Sequence, residues 1–313
     1  MAVRRILSLD GGGIKGVFLV AFLAAFEERV GRPIAGYFDL IAGTSTGGIA
    51  ALGLGLGFTA QGLLTLYERF GREVFPGNRL LRFVRHVVAA KYSPEPLRRV
   101  LAEAFGDRTL GDSRCRLVIP SLNLETGKVH VYKTAHHPRF EMDYKESAVQ
   151  VGMATAAAPT YFPSHRSSSG IPLVDGGLWA NNPVGMAVVE AIGVLEWSRP
   201  DLRVLSLGCP SAPLDIGIAR RRSMGRLYWA RRIAEAFLSG QSSASLGTAK
   251  LLAGHANVYR VCPAVPPDRF GLDTTKEIES LKGLGVAEAR EALPALRQVF
   301  FTEPAEPFEP YHR

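Results

Sequence analysis

The stretch Phe38–Gly57, FDLIAGTSTGGIAALGLGLG, decides how the rest of the chain is read. Phe38-Asp39-Leu40-Ile41-Ala42 reads as a short strand, Gly43-Thr44-Ser45-Thr46-Gly47 fits G-x-S-x-G, and Gly48–Leu52 reads as a small-residue helix. A nucleophile elbow requires that order, because its serine sits on a sharp turn with the hydroxyl exposed. Gly43 and Gly47 remove the side chains that would collide where strand and helix approach so closely. Ser45 also falls near the N-terminus of the helix, where unpaired N–H groups favour developing negative charge. The alternative is a loop that merely turns the chain, and the elements on both sides favour the elbow.

Upstream, Arg4–Leu9 is a short strand running into Asp10-Gly11-Gly12-Gly13-Ile14-Lys15-Gly16, and Val17–Val30 is a buried helix that stops at Gly31. Gly11, Gly13 and Gly16 match the dinucleotide fingerprint G-x-G-x-x-G. Against a nucleotide there, the second strand leads into the serine elbow, not to a ribose-binding acid, and no second half-domain follows. The same geometry serves an oxyanion hole, since consecutive glycines let backbone N–H groups converge with no side chain in the way. Lys15 opposes the dipole of the helix it opens, which suggests that it orients the loop or meets an anionic substrate. A solvated surface lysine is the plainer reading.

Downstream, Thr59–Phe75 is an amphipathic helix with Thr59 as N-cap. Asn78–Lys91, NRLLRFVRHVVAAK, is a basic amphipathic segment that suits an anionic bilayer and equally an ordinary surface helix. A capped helix follows to about Phe105, and Arg114–Asn123 and Lys128–Thr134 read as a hairpin. Ser147–Ala158 is a small-residue helix stopped by Pro159. Ile171–Val174 is a strand that delivers Asp175, followed by Gly176 and Gly177, into the layer of loops where the elbow points. A common Asp-Gly turn is the alternative. Asn181-Asn182-Pro183 fits the start of a helix over Val184–Trp197, which makes both asparagines structural. Leu202–Gly208 is a buried strand. The remainder is helical over Ser223–Leu238, Ser239–His255, Glu277–Gly283 and Val286–Phe301, with a strand at Asn257–Val261 and basic runs at Arg220-Arg221-Arg222 and Arg231-Arg232.

A chain of 313 residues can bury a full core as one large α/β domain or two small ones. Its net charge of +8 suits anionic partners without choosing between phospholipid and nucleic acid. Cys115, Cys209 and Cys262 lie far apart in apolar segments with no C-x-x-C pair, which points to reduced thiols in a reducing compartment such as the cytoplasm. The apolar run before Asp10 is too short for a signal-peptide core. Leu40–Tyr67 has no charged side chain, yet its glycines and the G-x-S-x-G turn suit a buried helix behind an active site better than a membrane span.

The motifs DGGGIKG (10–16), GTSTG (43–47) and DGG (175–177), with TAAAPTYFPSH and DGGLWANNP around the last, resemble the patatin-like phospholipases over roughly residues 5–210. Each motif alone is weak, but the three in this order are specific. The resemblance implies a three-layer α/β/α fold with a central, mostly parallel sheet, a phospholipase domain over 5–210 and a mainly helical C-terminal extension over 211–313 packed on it. It implies a Ser–Asp dyad without histidine, in which Ser45 is the nucleophile, Asp175 the base, and the backbone N–H groups of Gly11, Gly12 and Gly13 form the oxyanion hole. Asp10, Lys15, Gly16, Gly43, Gly47, Gly176 and Gly177 complete the motifs. The implied substrate is a membrane phospholipid met at an anionic bilayer surface by a cytoplasmic, peripherally associating enzyme that needs no metal or cofactor and binds no nucleic acid stably. The compact size and basic helical C-terminal third also resemble bacterial members whose lipase is switched on by a cyclic nucleotide in antiviral defence, which implies such an activator. Two rivals stay open. An α/β-hydrolase triad needs a histidine after the acid, where only His255 and His312 stand, with His165 before it. A non-catalytic binding module would fit the charge but has no need of an elbow.

Overall fold

The computed structural model describes residues 3–75, 89–213, 225–267 and 269–313. Its strands are β1 (Arg4–Leu9), β2 (Leu40–Gly43), β3 (Arg116–Asn123), β4 (Val129–Lys133), β5 (His165–Arg166), β6 (Pro172–Asp175), β7 (Leu202–Leu207) and β8 (Val258–Val261). The helices are α1 (Gly16–Val30), α2 (Thr46–Gly55), α3 (Ala60–Val74), α4 (Glu95–Phe105), α5 (Ala148–Thr155), α6 (Gly177–Ala180), α7 (Val184–Gly193), α8 (Arg226–Ala253) and α9 (Ile278–Phe300).

All eight strands join one sheet. The pairs β1–β2, β1–β7, β2–β3 and β7–β8 are parallel, while β4 and β6 run antiparallel to β3 and β5 antiparallel to β6. Alternate strand residues enter two different cores. Leu7, Leu9, Ile41, Leu117, Ile119, Leu205 and Leu207 pack on the side of α1, α2, α3, α4, α5 and α9. Ile6, Leu40, Ala42, Val118, Leu202 and Val204 pack on the side of α7 and α8. Helices cover both faces, which is why the central strands read as continuous apolar runs. Helix α2 is buried along its whole length. That accounts for the uncharged stretch from Leu40 to Tyr67, and no helix among the described residues is long and apolar enough to cross a membrane.

The register of β3 places the site. Strand β4 pairs with residues Val118–Leu122 of β3, overlapping β2 at Val118 and β6 at Ser121 and Leu122. A strand has two edges, so β2 and β6 must share the edge that β4 leaves free. They approach each other along it from opposite directions, β2 ending level with Val118 and β6 level with Ser121. Pro120, with no N–H to leave unpaired, stands on β3 at the gap. Ser45 follows β2 and Asp175 ends β6, so two residues far apart in sequence arrive at one place.

Two helical expectations differ from the structure. Ser223–Leu238 and Ser239–His255 fuse into α8, where Gln241, Ser242 and Ser245 in the polar middle bond to Asn181 and Asn182 before α7 and to Gly185 in its first turn. Glu277–Gly283 and Val286–Phe301 likewise fuse into α9. Its Gly285 lies so close to α1 that a Cβ there would come within 2.7 Å of the Phe18 carbonyl oxygen. Thr59 caps α3 as expected, its hydroxyl accepting the Gly62 N–H at 3.0 Å. The basic segment Asn78–Lys91, apart from residues 89–91, and Arg220-Arg221-Arg222 lie outside the described residues.

Candidate active site

Ser45 sits between β2 and α2 with φ 55° and ψ −124°. A non-glycine residue with positive φ is strained, on the order of 1–3 kcal/mol, and persists only where its surroundings over-determine it. Here its N–H donates to Thr155 Oγ1 at 3.1 Å and its carbonyl accepts the Ile49 N–H at 3.0 Å. A Cβ on Gly43 would lie 2.2 Å from the Gly47 oxygen, and one on Gly47 would lie 2.3 Å from the Leu9 oxygen. Only glycine fits either position, so the G-x-S-x-G spacing is a steric requirement of the turn.

Asp175 is 5% exposed and Ser45 9%. The Asp175 N–H donates to the Ala157 carbonyl at 3.0 Å, and one carboxylate oxygen, Oδ1, accepts the Gly177 N–H at 2.7 Å. Burial raises the Asp175 pKa to about 6, and the nearby Ser45 side chain and the Gly177 N–H act against burial. Gly176 rests on β3, where a Cβ would come within 2.4 Å of the Pro120 oxygen. Thr155 ties the pieces together by donating to that same Pro120 oxygen at 2.7 Å while accepting from Ser45.

The glycine loop lies across the serine. A Cβ on Gly11 would stand 3.2 Å from Ser45 Cβ and 2.5 Å from Asn181 Oδ1. The Gly11 N–H donates to the Asn181 carbonyl at 2.9 Å, so of the three amides expected to hold an oxyanion this one is engaged. Gly12 and Gly13 have no hydrogen-bond acceptor for their N–H groups among the described residues. Gly13, at φ 59°, lies under the Leu272 carbonyl, where a Cβ would be 2.2 Å from the oxygen.

The C-terminal third holds this loop at several points. The Ile14 N–H donates to the Leu272 carbonyl at 2.8 Å, and the next residue, Asp273, accepts from the Tyr92 hydroxyl at 2.6 Å and pairs with Lys91. Arg260, on β8, grips Asp10 through both guanidinium nitrogens, Nη1 to Oδ1 at 2.8 Å and Nη2 to Oδ2 at 2.5 Å. Arg260 also donates to Ser206 Oγ at 2.7 Å. The Lys15 ammonium donates to the Pro210 carbonyl at 3.0 Å, an orienting contact within the protein.

The structure brings Ser45, Asp175 and the glycine loop close together, held by residues that carry no motif. Asn181 clamps Gly11 through both its carbonyl and, at 3.3 Å, its side-chain Nδ2, whereas Asn182 Oδ1 accepts the Val184 N–H at 3.2 Å just before α7, whose N-cap is Pro183. Thr155, Arg260 and Leu272 act through a hydroxyl, a guanidinium and a backbone carbonyl that no local pattern marks. Among the described residues no histidine hydrogen-bonds to Ser45 or Asp175. His136 is bound by Thr134 and Glu190, and His312 by the Pro138 carbonyl.

Residues 7–188 match the family model described as patatin-like phospholipase. The chain is 34% identical over 288 residues to a cGAMP-activated phospholipase of Pseudomonas aeruginosa, spanning 90% of this chain and 83% of that one. It is 36% identical over 225 residues to a cGAMP-activated phospholipase of Vibrio cholerae, spanning 65% of this chain and 63% of the relative. It is 28% identical over 216 residues to a cUMP-AMP-activated phospholipase of Escherichia coli, with 66% and 64% of the two chains covered. Among solved structures, VipD of Legionella pneumophila superposes with a TM-score of 0.51 at 14% identity, over 94% of this chain and 67% of that one, a likeness of fold.

Proposed function

Because this chain belongs to the patatin-like phospholipase family, and so is a carboxylic ester hydrolase of patatin fold, we propose that it cleaves the acyl ester bonds of membrane phospholipids through Ser45 and Asp175. Ser45 Oγ attacks the ester carbonyl as its proton passes to Asp175. The Gly12 and Gly13 N–H groups receive the developing oxyanion, each donor worth on the order of 3 kcal/mol in such sites. Collapse of the tetrahedral intermediate expels the lysolipid alkoxide, which takes the proton from Asp175, and leaves Ser45 acylated. Water then attacks the acyl-enzyme, Asp175 takes its proton, and the fatty acid departs as Ser45 is reprotonated. The observation that supports this reading is a strained, buried serine close to a buried carboxylate, beside two glycine amides that have no acceptor among the described residues.

Asp175 accepts a proton only when ionised. With a pKa of about 6, kcat/KM rises with pH through that value and levels off above it. An ordinary exposed aspartate would place the rise near 4. A pH–rate profile on a soluble ester, flat from pH 5 to pH 8, would contradict this assignment.

The net charge of +8 supports an anionic bilayer as the surface on which the enzyme works. The names of its relatives support control by a cyclic nucleotide. The test is fatty-acid release from phosphatidylglycerol and phosphatidylethanolamine vesicles by the purified chain, alone and with cGAMP or cUMP-AMP. Release that rises on adding one nucleotide is the expected result. No release from either lipid under any condition would overturn the reading, and full release without nucleotide would overturn the activation alone.

A further inference from the structure

Helix α8 runs from the active-site end of the sheet toward the opposite end. Its last residue, Ala253, leads through residues 255–257 into the start of β8, beside Val204 near the start of β7. At Gln241 the helix is level with the active-site loop, since Gln241 Oε1 accepts the Asn181 N–H and Asn181 in turn holds Gly11. Among the described residues, the side-chain hydrogen bonds that tie α8 to α7 and the loop before it begin at Gln241 and run on to Ser245. Residues 226–240 lie N-terminal to that point and carry the helix about 20 Å past it.

This overhang is apolar on one side. Trp229, Ile233 and Phe237 recur every fourth residue and so share a face. Ile233 is 60% exposed and Phe237 55%. Leu178, next to Gly177 on α6, and Leu272, whose carbonyl covers Gly13, are also exposed at this end of the sheet. The overhang is basic as well. From Ile216 to Ala234 the sequence carries Arg220, Arg221, Arg222, Arg226, Arg231 and Arg232 and no acidic residue. Helix α8 opens without a side-chain cap and without an acid in its first turn, so arginines there act against its dipole. Neither the exposed apolar face nor the charge serves the helix itself.

A second copy of the chain is a poor occupant of this face, because a two-fold contact would set the arginines against one another. Nucleic acid would use the arginines and leave Ile233 and Phe237 without a role. A bilayer with anionic headgroups uses both. Aromatic and aliphatic side chains of an interfacial helix enter the acyl boundary while its arginines stay among the headgroups.

We propose that the overhang of α8 is a docking prong for an anionic phospholipid bilayer, with Ile233 and Phe237 entering the acyl layer so that the end of the sheet carrying Ser45 faces the lipid. The inference rests on the phospholipid reading given above and adds the surface through which that substrate is met. The test is flotation of the full-length chain with vesicles of phosphatidylglycerol and phosphatidylethanolamine, with and without cGAMP or cUMP-AMP. The Ser45→Ala form is used so that lipid is not consumed. Ile233→Ser and Phe237→Ser are each expected to weaken partitioning about tenfold. Leu251→Ser is the control, since Leu251 is 77% exposed at the other end of the same helix and its replacement should leave partitioning unchanged. Binding of the parent should weaken as salt rises. Unaltered partitioning in the Ile233→Ser, Phe237→Ser double variant overturns the prong, as does an equal loss in Leu251→Ser. A parent that floats with no vesicle under any condition overturns it as well. So does a parent dimer that the double variant splits while vesicle binding persists, which would give the face to a second copy. Binding to duplex DNA that is tighter than to vesicles and indifferent to both substitutions would assign the arginines to nucleic acid and overturn it too. With Ser45 intact, the double variant should release less fatty acid from vesicles; an equal loss on a soluble ester would place the effect at the catalytic residues and overturn docking. The reading underneath fails separately: a chain that docks through α8 yet releases no fatty acid loses the lipase assignment and keeps the docking face.

Discussion

Ser45→Ala is expected to lower kcat for phospholipid hydrolysis by on the order of 10⁶-fold, as removal of an acyl-forming serine does in other serine hydrolases. Asp175→Asn is expected to lower it by about 10²–10⁴-fold, the range that a positioned general base supplies. The difference has a physical cause. Without the hydroxyl no acyl-enzyme can form, whereas an asparagine still fills the space under Ser45 and leaves the Gly12 and Gly13 amides in place. The two changes together should cost little more than Ser45→Ala alone, because base and nucleophile act as one unit. Stopped assays of free fatty acid at matched protein concentration, with circular dichroism as a check of folding, read all three variants. An Asp175→Asn enzyme within a factor of a few of the parent would show that the proton goes elsewhere.

Arg260→Met is expected to have the largest effect on stability. The guanidinium is 14% and the Asp10 carboxylate 5% exposed, and they meet in a two-pronged ion pair. Breaking such a pair from one side typically costs about 3–5 kcal/mol, because the remaining charge stays buried. Burial already holds the Asp10 pKa above the ordinary carboxylate value even with Arg260 alongside. The orphaned carboxyl would therefore take up a proton, which sets a ceiling on the loss and makes it smaller at low pH. Asp10→Asn added to Arg260→Met should restore part of the stability, since no buried charge then remains. Urea unfolding of the single and double variants measures this directly. Strictly additive losses would contradict it. The site should respond as well, because Asp10 opens the glycine loop. In Arg260→Met the effect on turnover should fall on kcat more than on KM, as expected for an interaction that shapes the oxyanion hole.

The elbow was legible in the sequence because steric necessity leaves a local mark. Gly43 and Gly47 each face a backbone oxygen at a distance no Cβ could tolerate, and Ser45 lies between a strand and a helix that the apolar pattern announces. The glycine loop was legible for a like steric reason, since a Cβ would meet the Cys209 Sγ at 2.3 Å on Gly12 and the Leu272 oxygen at 2.2 Å on Gly13. What holds these pieces was not legible, because it depends on long-range register. Asp175 reaches Ser45 only because β6 comes down the same edge of β3 that β2 climbs, and nothing within either strand states that arrangement. Asn181 reads as a helix start from its Asn-Pro context, yet its main work is to hold Gly11, which also removes one of the three amides expected for the oxyanion. The C-terminal helices read as four pieces, divided between Leu238 and Ser239 and between Gly283 and Val286. Tertiary contacts at Gln241, Ser242 and Gly285 carry the helices through both places. Arg260 and Leu272 lie in the part least marked by motifs, and they are the residues through which that part grips the active-site loop.

The most direct measurement of the central claim is covalent trapping. A fluorophosphonate is attacked by an activated serine, fluoride leaves, and a stable phosphonyl-serine ester remains to be located by peptide mass spectrometry. The account predicts one adduct per chain, on Ser45, formed far more slowly in Asp175→Asn. An adduct on another serine, or labelling of Ser45 at the same rate with and without the Asp175 carboxylate, would contradict it.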